Sequence, residues 1–274
     1  MLKKGPAALG CLAIVAACGA ESGAVPVVVL ATTHTIEDSG LLETLDSAFA
    51  ERHPEVRLRI LVVGSGEALE IGRRRDADVL FTHAPEDEAR FVAEGHGVER
   101  RAVMHNDFVV YGPATDPARV GAASGAADGF RRVAAAGAPF VSRGDDSGTH
   151  RKERSIWEAA GVAPAGEWYL EAGLGQGDAL RVASQRRAYM LADRATYTVL
   201  RPMLDLVPLV QDDTVLVNRY GVTLVEGARN PGGARIFADW LIGEEAAGLI
   251  RGLGTDASGR PLFTPSPEPR VSAP

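Results

Sequence analysis

Apolar and polar positions along the first half of the chain follow a pattern that predicts strands and helices in turn. Residues 25–30 (VPVVVL) form a continuous apolar run, which is typical of a strand buried on both faces. Residues 40–52 place their apolar side chains on one face of a helix, and Pro54 ends it. Further strands are predicted over 57–63 and 78–82, and further helices over 67–75 and 85–95. This order predicts the α/β class with a mostly parallel, doubly wound sheet.

Two later apolar strands predict passages between two lobes. Residues 106–111 (NDFVVY) are expected to cross from the first lobe to the second, and residues 214–225 are expected to return. The predicted elements between and after them are helices over 126–136, 149–160 and 231–249, and strands over 139–142 and 187–192. We therefore assign 25–108 and 216–265 to the first lobe, 109–215 to the second, and 266–274 to an irregular tail.

The N terminus has the features of a secretion signal. Lys3 and Lys4 precede an apolar stretch over 7–17, which is too short to cross a bilayer as a helix and fits a signal peptide. The sequence Val-Ala-Ala-Cys at 15–18 resembles a bacterial lipobox, with Cys18 as the lipid-bearing residue. We predict a lipoprotein signal peptide over 1–17, a tether over 18–24 and an extracytoplasmic, membrane-anchored protein. An ordinary signal peptide with an incidental cysteine is the alternative.

Composition narrows the classes of function. The chain has 274 residues, 46% of them hydrophobic and 24% charged, and a formal net charge of −7, which argues against nucleic-acid binding. Cleavage before Cys18 leaves one cysteine, so no disulfide framework is expected. The six histidines show no metal-ligand spacing. Two lobes that follow a secretion signal are typical of a periplasmic-type binding protein. A secreted α/β enzyme is the alternative.

Three loops share one design, in which a strand ends, hydroxyl residues and glycines follow, and a helix begins. Ligands of open α/β sheets bind at the carboxyl ends of strands, and helix N termini offer free amides to anions. The loops are 31–40, 63–66 and 142–150. Their candidate ligand-binding residues are Thr32, Thr33, Thr35, Ser65, Arg143, Ser147, Gly148 and Thr149. Capped helix starts and a tight turn are the structural alternatives.

The third loop, Ser-Arg-Gly-Asp-Asp-Ser-Gly-Thr-His, is the most informative of the three. Arg143 can bind two anion oxygens through its planar guanidinium. Asp145 and Asp146 can orient Arg143 or cap the following helix. The same loop raises a hydrolase alternative with Ser147 as nucleophile and His34 or His150 as base. The G-x-S-x-G elbow of α/β-hydrolases is missing from it.

Several long segments together resemble one known family. The segments are TTHTIEDSG, VGSGEALEIGRRRDADVL, FVAEGHGVERRAVMHNDFVVYGP, GAPFVSRGDDSGTH, GEWYLEAG and PLFTP. They resemble the TupA-type tungstate-binding proteins of ABC importers, over about residues 27–265 and in the family's order. The resemblance implies a class II periplasmic-binding fold, two doubly wound lobes joined by two crossover strands, that closes around tungstate. The family's first loop usually reads Thr-Thr-Thr-Ser, whereas here His34 replaces the third residue and Thr35 keeps the final hydroxyl.

The chemistry of tungstate agrees with these residues. Tungstate is a dianion without a proton near neutral pH, so its ideal shell holds only hydrogen-bond donors, and a facing carboxylate would repel it. Molybdate is nearly the same size and stays an alternative ligand. The implied partners are an importer permease and its ATPase, with the chain as a monomer. We expect no resident cofactor and no enzymatic activity.

A phosphate-binding protein is the nearest rival, since such proteins also carry an Arg-x-Asp-x-Ser-Gly-Thr loop. Phosphate keeps a proton near neutral pH, so a carboxylate can accept a hydrogen bond from it. The position of Asp145 therefore separates the two hypotheses. If Asp145 points into the cleft, phosphate is favoured. If it faces Arg143 or the helix backbone, tungstate is favoured.

Overall fold

The computed structural model describes Met1 and residues 25–266. The predicted signal peptide and tether, including Cys18, lie outside the described residues apart from Met1, and so do residues 267–274 of the predicted tail. The strands are β1 (Val27–Thr33), β2 (Arg57–Val63), β3 (Val79–Thr82), β4 (Gly97–Pro113), β5 (Phe140–Ser142), β6 (Tyr169–Glu171), β7 (Met190–Asp193), β8 (Leu206–Val210), β9 (Val217–Val225) and β10 (Thr264–Pro265).

The α-helices lie between these strands on both faces of the sheets. They are α1 (His34–Asp38), α2 (Leu41–Arg52), α3 (Ser65–Arg73), α4 (Pro85–Ala93), α5 (Ala126–Ala136), α6 (Gly148–Ala160), α7 (Gln176–Arg186), α8 (Arg194–Leu200), α9 (Pro231–Leu241) and α10 (Glu244–Gly252). In the described part of the chain, every helix is too short or too polar to cross a membrane.

The first sheet begins as the predicted doubly wound unit. β1 lies between β2 and β3, and both pairs are parallel. Successive residues of β1 point to opposite faces, so Val28 and Leu30 enter one hydrophobic cluster and Ala31 enters another. Helices cover both faces, which explains why the strand is continuously apolar.

The long strand β4 corrects the prediction of a mostly parallel sheet. β4 was predicted only over 106–111, but it begins at Gly97 and pairs antiparallel with β9 as far as Asp107. From Phe108 onward it pairs antiparallel with β7 and β8 instead. One continuous strand therefore takes part in both sheets. The chain crosses along β4 and returns along β9, so these two strands run antiparallel. The predicted lobe boundaries themselves stay a prediction.

The second sheet repeats the arrangement of two covered faces. Alternate residues of β4 separate again, with Phe108 and Val110 in one cluster and Val109 and Tyr111 in another. Strands β5 and β6 pair in parallel, and Phe140 bridges to Tyr189 just before β7. The carboxyl ends of β5 and β7 therefore lie side by side, where the third predicted loop begins.

Several elements differ from the sequence prediction. The loop over 31–39 contains the end of β1 and the short helix α1, and the single helix over 231–249 is two helices that meet at Gly243. The elements β6, α8, β8 and β10 were not predicted. The first half of β4 was not predicted because charged residues interrupt its apolar pattern. Their partners lie on other elements: Arg100 pairs with Glu88 and Arg101 with Asp239, both at 2.6 Å.

Candidate functional site

The three predicted loops meet between the two sheets. β1, β2 and β3 end at Thr33, Val63 and Thr82, so their carboxyl ends lie side by side. The turn at Gly64 faces the third loop, since a Cβ placed on Gly64 would lie 3.5 Å from Ser147 Cα. Gly66 permits the same close approach, because a Cβ there would lie 2.6 Å from Arg151 Nη2. The cleft between the lobes is therefore closed at this point.

Arg143 is the buried cation of the cleft and is 1% exposed. Its Nε donates to the carbonyl of Leu174 at 3.3 Å, and its Nη1 donates to Gln176 Oε1 at 3.3 Å. Its Nη2 donates to Asp145 Oδ2 at 2.5 Å. These three contacts use three of the five guanidinium N–H groups and fix its plane, so two donors are left for a ligand.

Asp145 faces Arg143 and the helix backbone. Its Oδ2 accepts from Arg143, and its Oδ1 accepts from the backbone amide of Ser147 at 3.2 Å. Both carboxylate oxygens are thus engaged by the loop that carries them. This is the arrangement that the sequence argument associates with tungstate rather than phosphate.

Four buried donors at this junction have no hydrogen-bond partner within the described residues. They are Thr33 Oγ1, Thr35 Oγ1, Ser65 Oγ and Gln176 Nε2. Their side chains are at most 2% exposed. An unpaired buried polar group costs about 1–3 kcal/mol, so such a group needs a functional explanation. Each of them is a donor that an acceptor oxygen of a bound ligand can satisfy.

The N terminus of α6 supplies backbone donors. Ser147 is its N-cap and accepts from the amide of His150 at 3.3 Å, and the first helical hydrogen bond is from Arg151 N to Ser147 O. The amides of Gly148 and Thr149 therefore have no acceptor within the helix. They and the hydroxyl proton of Ser147 can bind an anion at the positive end of the helix dipole.

Two predicted hydroxyls are engaged by the protein. Thr32 Oγ1 donates to the carbonyl of Phe81 at 2.9 Å, which places Thr32 in the sheet and its neighbour Thr33 in the cleft. Thr149 Oγ1 donates to Gln176 Oε1 at 2.9 Å, so this side chain orients Gln176 while its backbone amide stays available. The remaining predicted ligands, Thr33, Thr35, Ser65, Arg143, Ser147 and Gly148, are all buried at the junction.

The structure adds three residues that the sequence argument did not place in the site. Gln176 begins α7, and its side-chain Oε1 accepts from Arg143. Asp38 ends α1, and its Oδ2 accepts from the amide of Gly177 in the first turn of α7 at 3.1 Å. Burial raises the pKa of Asp38. His83 directly follows β3, is 4% exposed and packs against Gly148.

In the described part of the chain, neither of the two histidines named for the hydrolase alternative is hydrogen-bonded through its ring to Ser147. His150 Nδ1 accepts from the amide of Asp146 at 3.0 Å, and burial lowers the pKa of this imidazole. His34 lies 3.6 Å from Glu37 and its side chain is 37% exposed, so it sits at the rim of the cleft. Within the described residues, Ser147 Oγ accepts a hydrogen bond from the backbone amide of His150 and is not hydrogen-bonded to an imidazole. A nucleophile–base pair is not assembled at this serine.

Comparison with known proteins gives a consistent family. A family model described as a PBP superfamily domain matches residues 20–245. The tungstate-binding protein TupA of Peptoclostridium acidaminophilum is 40% identical over 245 residues, which span 87% of this chain and 85% of that protein.

Two solved structures share both sequence and fold with the chain. The crystal structure of the tungstate ABC transporter from Geobacter sulfurreducens is 42% identical with a TM-score of 0.73, and the match covers 82% of this chain and 97% of that one. The tungstate-binding protein TupA from Desulfovibrio alaskensis G20 is 36% identical with a TM-score of 0.71, and the match covers 89% of this chain and 100% of that one.

Proposed function

Because the chain belongs to the TupA-type tungstate-binding proteins of the PBP superfamily, we propose that it captures a tungstate dianion in the closed cleft and delivers it to an ABC importer. It is a substrate-binding component of a transporter and not an enzyme. It works outside the cytoplasm, where such components meet their ligands.

The observation that carries the proposal is a group of buried hydrogen-bond donors at the junction that no described residue satisfies. Within the described residues, a buried donor without a partner is found on Thr33, Thr35, Ser65 and Gln176, and Gln176 also contacts the guanidinium of Arg143. A fully deprotonated tetrahedral anion presents only acceptors and can bind several of these donors at once. The donors are held in place by the fold, so binding does not require them to be ordered first.

The charge of the site also suits a dianion. Asp145 pairs with Arg143 from the side of its own loop, and the positive ends of α3, α6 and α7 meet at the same junction. In a closed cleft of low dielectric, these fixed dipoles and the guanidinium attract an anion more strongly than they would in water.

The finer parts of the proposal rest on the N-terminal sequence, on family membership and on the size of the ligand. We propose that Cys18 carries a lipid anchor and that the protein acts as a monomer. The delivery partners are a permease and its ATPase. Molybdate is proposed as a second ligand because it is nearly isosteric with tungstate, and no resident cofactor is proposed.

Calorimetric titration of the purified protein with tungstate, molybdate, sulfate and phosphate near neutral pH tests this function. We expect tight tungstate binding at one site per chain and weak or undetectable heat from sulfate and phosphate. Tighter binding of phosphate than of tungstate would contradict the proposal. An Arg154→Ala variant, which changes an exposed arginine of α6, is the matched control and should bind tungstate as the unmodified protein does.

A further inference from the structure

A chain of hydrogen bonds joins two buried titratable residues across the crossover strands. His83 Nδ1 lies 2.9 Å from Asn218 Oδ1, and Asn218 Nδ2 donates to Asn106 Oδ1 at 2.8 Å. Asn106 Nδ2 donates in turn to Asp193 Oδ1 at 3.4 Å. Asn106 on β4 and Asn218 on β9 are directly paired in the sheet. All four side chains are at most 4% exposed, so the chain of hydrogen bonds is shielded from solvent.

The ionised carboxylate of Asp193 fixes the direction of this chain. A carboxylate only accepts, so Asn106 must present its amide nitrogen to Asp193 and its carbonyl oxygen to Asn218. Asn218 then presents its own carbonyl oxygen to His83, whose Nδ1 must carry the proton. The neutral imidazole is left with a bare lone pair on Nε2. His83 Nε2 is buried and has no partner within the described residues.

The imidazole of His83 lies at the wall of the anion site. A Cβ on Gly148 would lie 2.7–3.0 Å from three atoms of the ring, so only glycine at the start of α6 lets the two lobes close here. Tyr220 stacks on the ring with centroids 4.9 Å apart, and Phe108 lies 6.2 Å away.

The charges that act on His83 keep it neutral before a ligand binds. Arg143 and Asp145 are the charged groups that face it, and they act in opposite directions. Burial, with a further contribution from Arg143, lowers the pKa of His83 to about 4 despite the hydrogen bond to Asn218 and the charge of Asp145. The imidazole is therefore uncharged near neutral pH.

A lone pair at this position does not fit a deprotonated oxyanion. Tungstate oxygens carry no proton near neutral pH, so an acceptor nitrogen in their shell repels them, whereas an N–H group would bind them. Hydrogen phosphate differs, because it could donate its own proton to Nε2.

One added proton removes the conflict in either of two arrangements. It can bind His83 Nε2 directly and form an imidazolium. It can instead bind Asp193 at Oδ1, the oxygen that lies 3.4 Å from the Asn106 amide, so that the carboxyl becomes a donor to Asn106; burial raises the pKa of this carboxyl to about 6. Both asparagine amides then reverse, Asn218 donates to His83 Nδ1, and the imidazole proton moves to Nε2. The two arrangements contain the same atoms, and both place an N–H group at His83 Nε2.

We propose that His83 is a ligand of the site and that tungstate binding draws one proton from solvent into the His83–Asp193 chain. This inference rests on the proposed function. A bound dianion close to His83 favours the protonated state, since it replaces a desolvated cation without a partner by an ion pair. Affinity and pH are then linked through this one proton.

Proton uptake is measured by calorimetric titration of the purified protein with tungstate in buffers of different ionisation enthalpy at the same pH. We expect uptake of close to one proton per tungstate near pH 8, and a dissociation constant that rises about tenfold per pH unit between about pH 7 and 8.5. His83→Gln keeps an N–H donor that does not titrate, so it should bind tungstate without proton uptake. His34→Gln and His150→Gln are the controls and should retain the uptake.

Tungstate binding without proton exchange in the unmodified protein would overturn the inference, and so would undiminished uptake in His83→Gln. Nitrogen-15 NMR of the unmodified protein gives a second test that needs no variant. Nε2 of His83 should change from unprotonated to protonated when tungstate is added, and an unchanged Nε2 would also overturn the inference. If tungstate does not bind at all, the proposed function itself fails, which is a distinguishable result.

Discussion

Arg143 and Asp145 form an ion pair within one loop, with Arg143 Nη2 2.5 Å from Asp145 Oδ2. The second oxygen of Asp145 accepts from the amide of Ser147, so the whole carboxylate is engaged by the loop. The pair orients the guanidinium and keeps the negative charge on the side of the loop. An anion without a proton therefore meets donors here, and this relationship links the sequence of the third loop to the choice of ligand.

Arg143→Ala should lower the affinity for tungstate by about 10- to 100-fold, since a charged hydrogen-bond donor contributes about 1.5–3 kcal/mol. The substitution also leaves Asp145 and Gln176 without their buried partner, so the melting temperature of the unliganded protein should fall. Calorimetry and thermal unfolding measure both effects. Arg143→Lys keeps the charge without the planar fork and should recover only part of the affinity. Unchanged affinity in Arg143→Ala would remove Arg143 from the site.

Thr33 and Thr32 form a matched pair for separating binding from stability. Thr33 Oγ1 is buried and has no partner in the described part of the chain, so Thr33→Val should weaken tungstate binding about tenfold and leave the free energy of unfolding unchanged or higher. Thr32 Oγ1 donates to Phe81, so Thr32→Val should lower the free energy of unfolding by about 1 kcal/mol and leave affinity within about twofold. Chemical denaturation and titration of both variants check this, and the reverse assignment of effects would contradict it.

Arg151 and Asp87 join α6 of one lobe to α4 of the other and should stabilise the closed cleft. Arg151→Ala should speed tungstate release and weaken binding by up to about fivefold, because a partly exposed ion pair contributes up to about 1 kcal/mol. Stopped-flow displacement measures the release rate. Arg90 pairs with the same Asp87 from its own helix at 3.0 Å, so Arg90→Ala should not change the rate. Equal rates in all three proteins would show that the pair does not hold the lobes together.

Glu153 on α6 makes stability depend on pH. Burial raises its pKa from an ordinary 4.5 to about 7, and its Oε1 accepts from Trp157 and Tyr169. The folded protein therefore holds more protons than the unfolded chain between about pH 4.5 and 7, and this group's contribution to stability is lost as pH rises through that window.

Glu153→Gln keeps the accepting oxygen and removes the ionisation. Its melting temperature should exceed that of the unmodified protein near pH 8 and should match it near pH 4.5. Scanning calorimetry across this range is the measurement. Glu158→Gln, an exposed site on the same helix, should match the unmodified protein at both values. A melting temperature difference that does not vary with pH would contradict the assignment.

Much of the candidate site could be proposed from the sequence because its chemistry is local. A strand, a hydroxyl or glycine turn and a helix start leave a clear pattern, and Ser65, Arg143 and Ser147 follow from it directly. Thr32 and Thr33 could not be separated by composition, since both carry a hydroxyl and neighbouring residues of a strand point to opposite faces. The side that faces the cleft is set by the sheet, where Thr32 contacts Phe81.

The rest of the site depends on contacts between distant segments. Asp38 caps a helix 139 positions away, and His83 is oriented by Asn218, 135 positions away. A lone histidine after a short strand has no distinctive sequence signature. The start of β4 was missed for the same reason, because the partners of Arg100 and Arg101 lie on other elements.

The most direct test of the account is a crystal structure of the protein with tungstate, in which anomalous scattering locates the tungsten atom. The account predicts a single strong peak at the junction of the lobes, with oxygens at hydrogen-bond distance, about 2.7–3.1 Å, from Ser65 Oγ, Arg143 and the amide of Gly148. Asp145 should remain on Arg143. A peak elsewhere on the chain, or Asp145 turned toward the bound anion, would contradict the account.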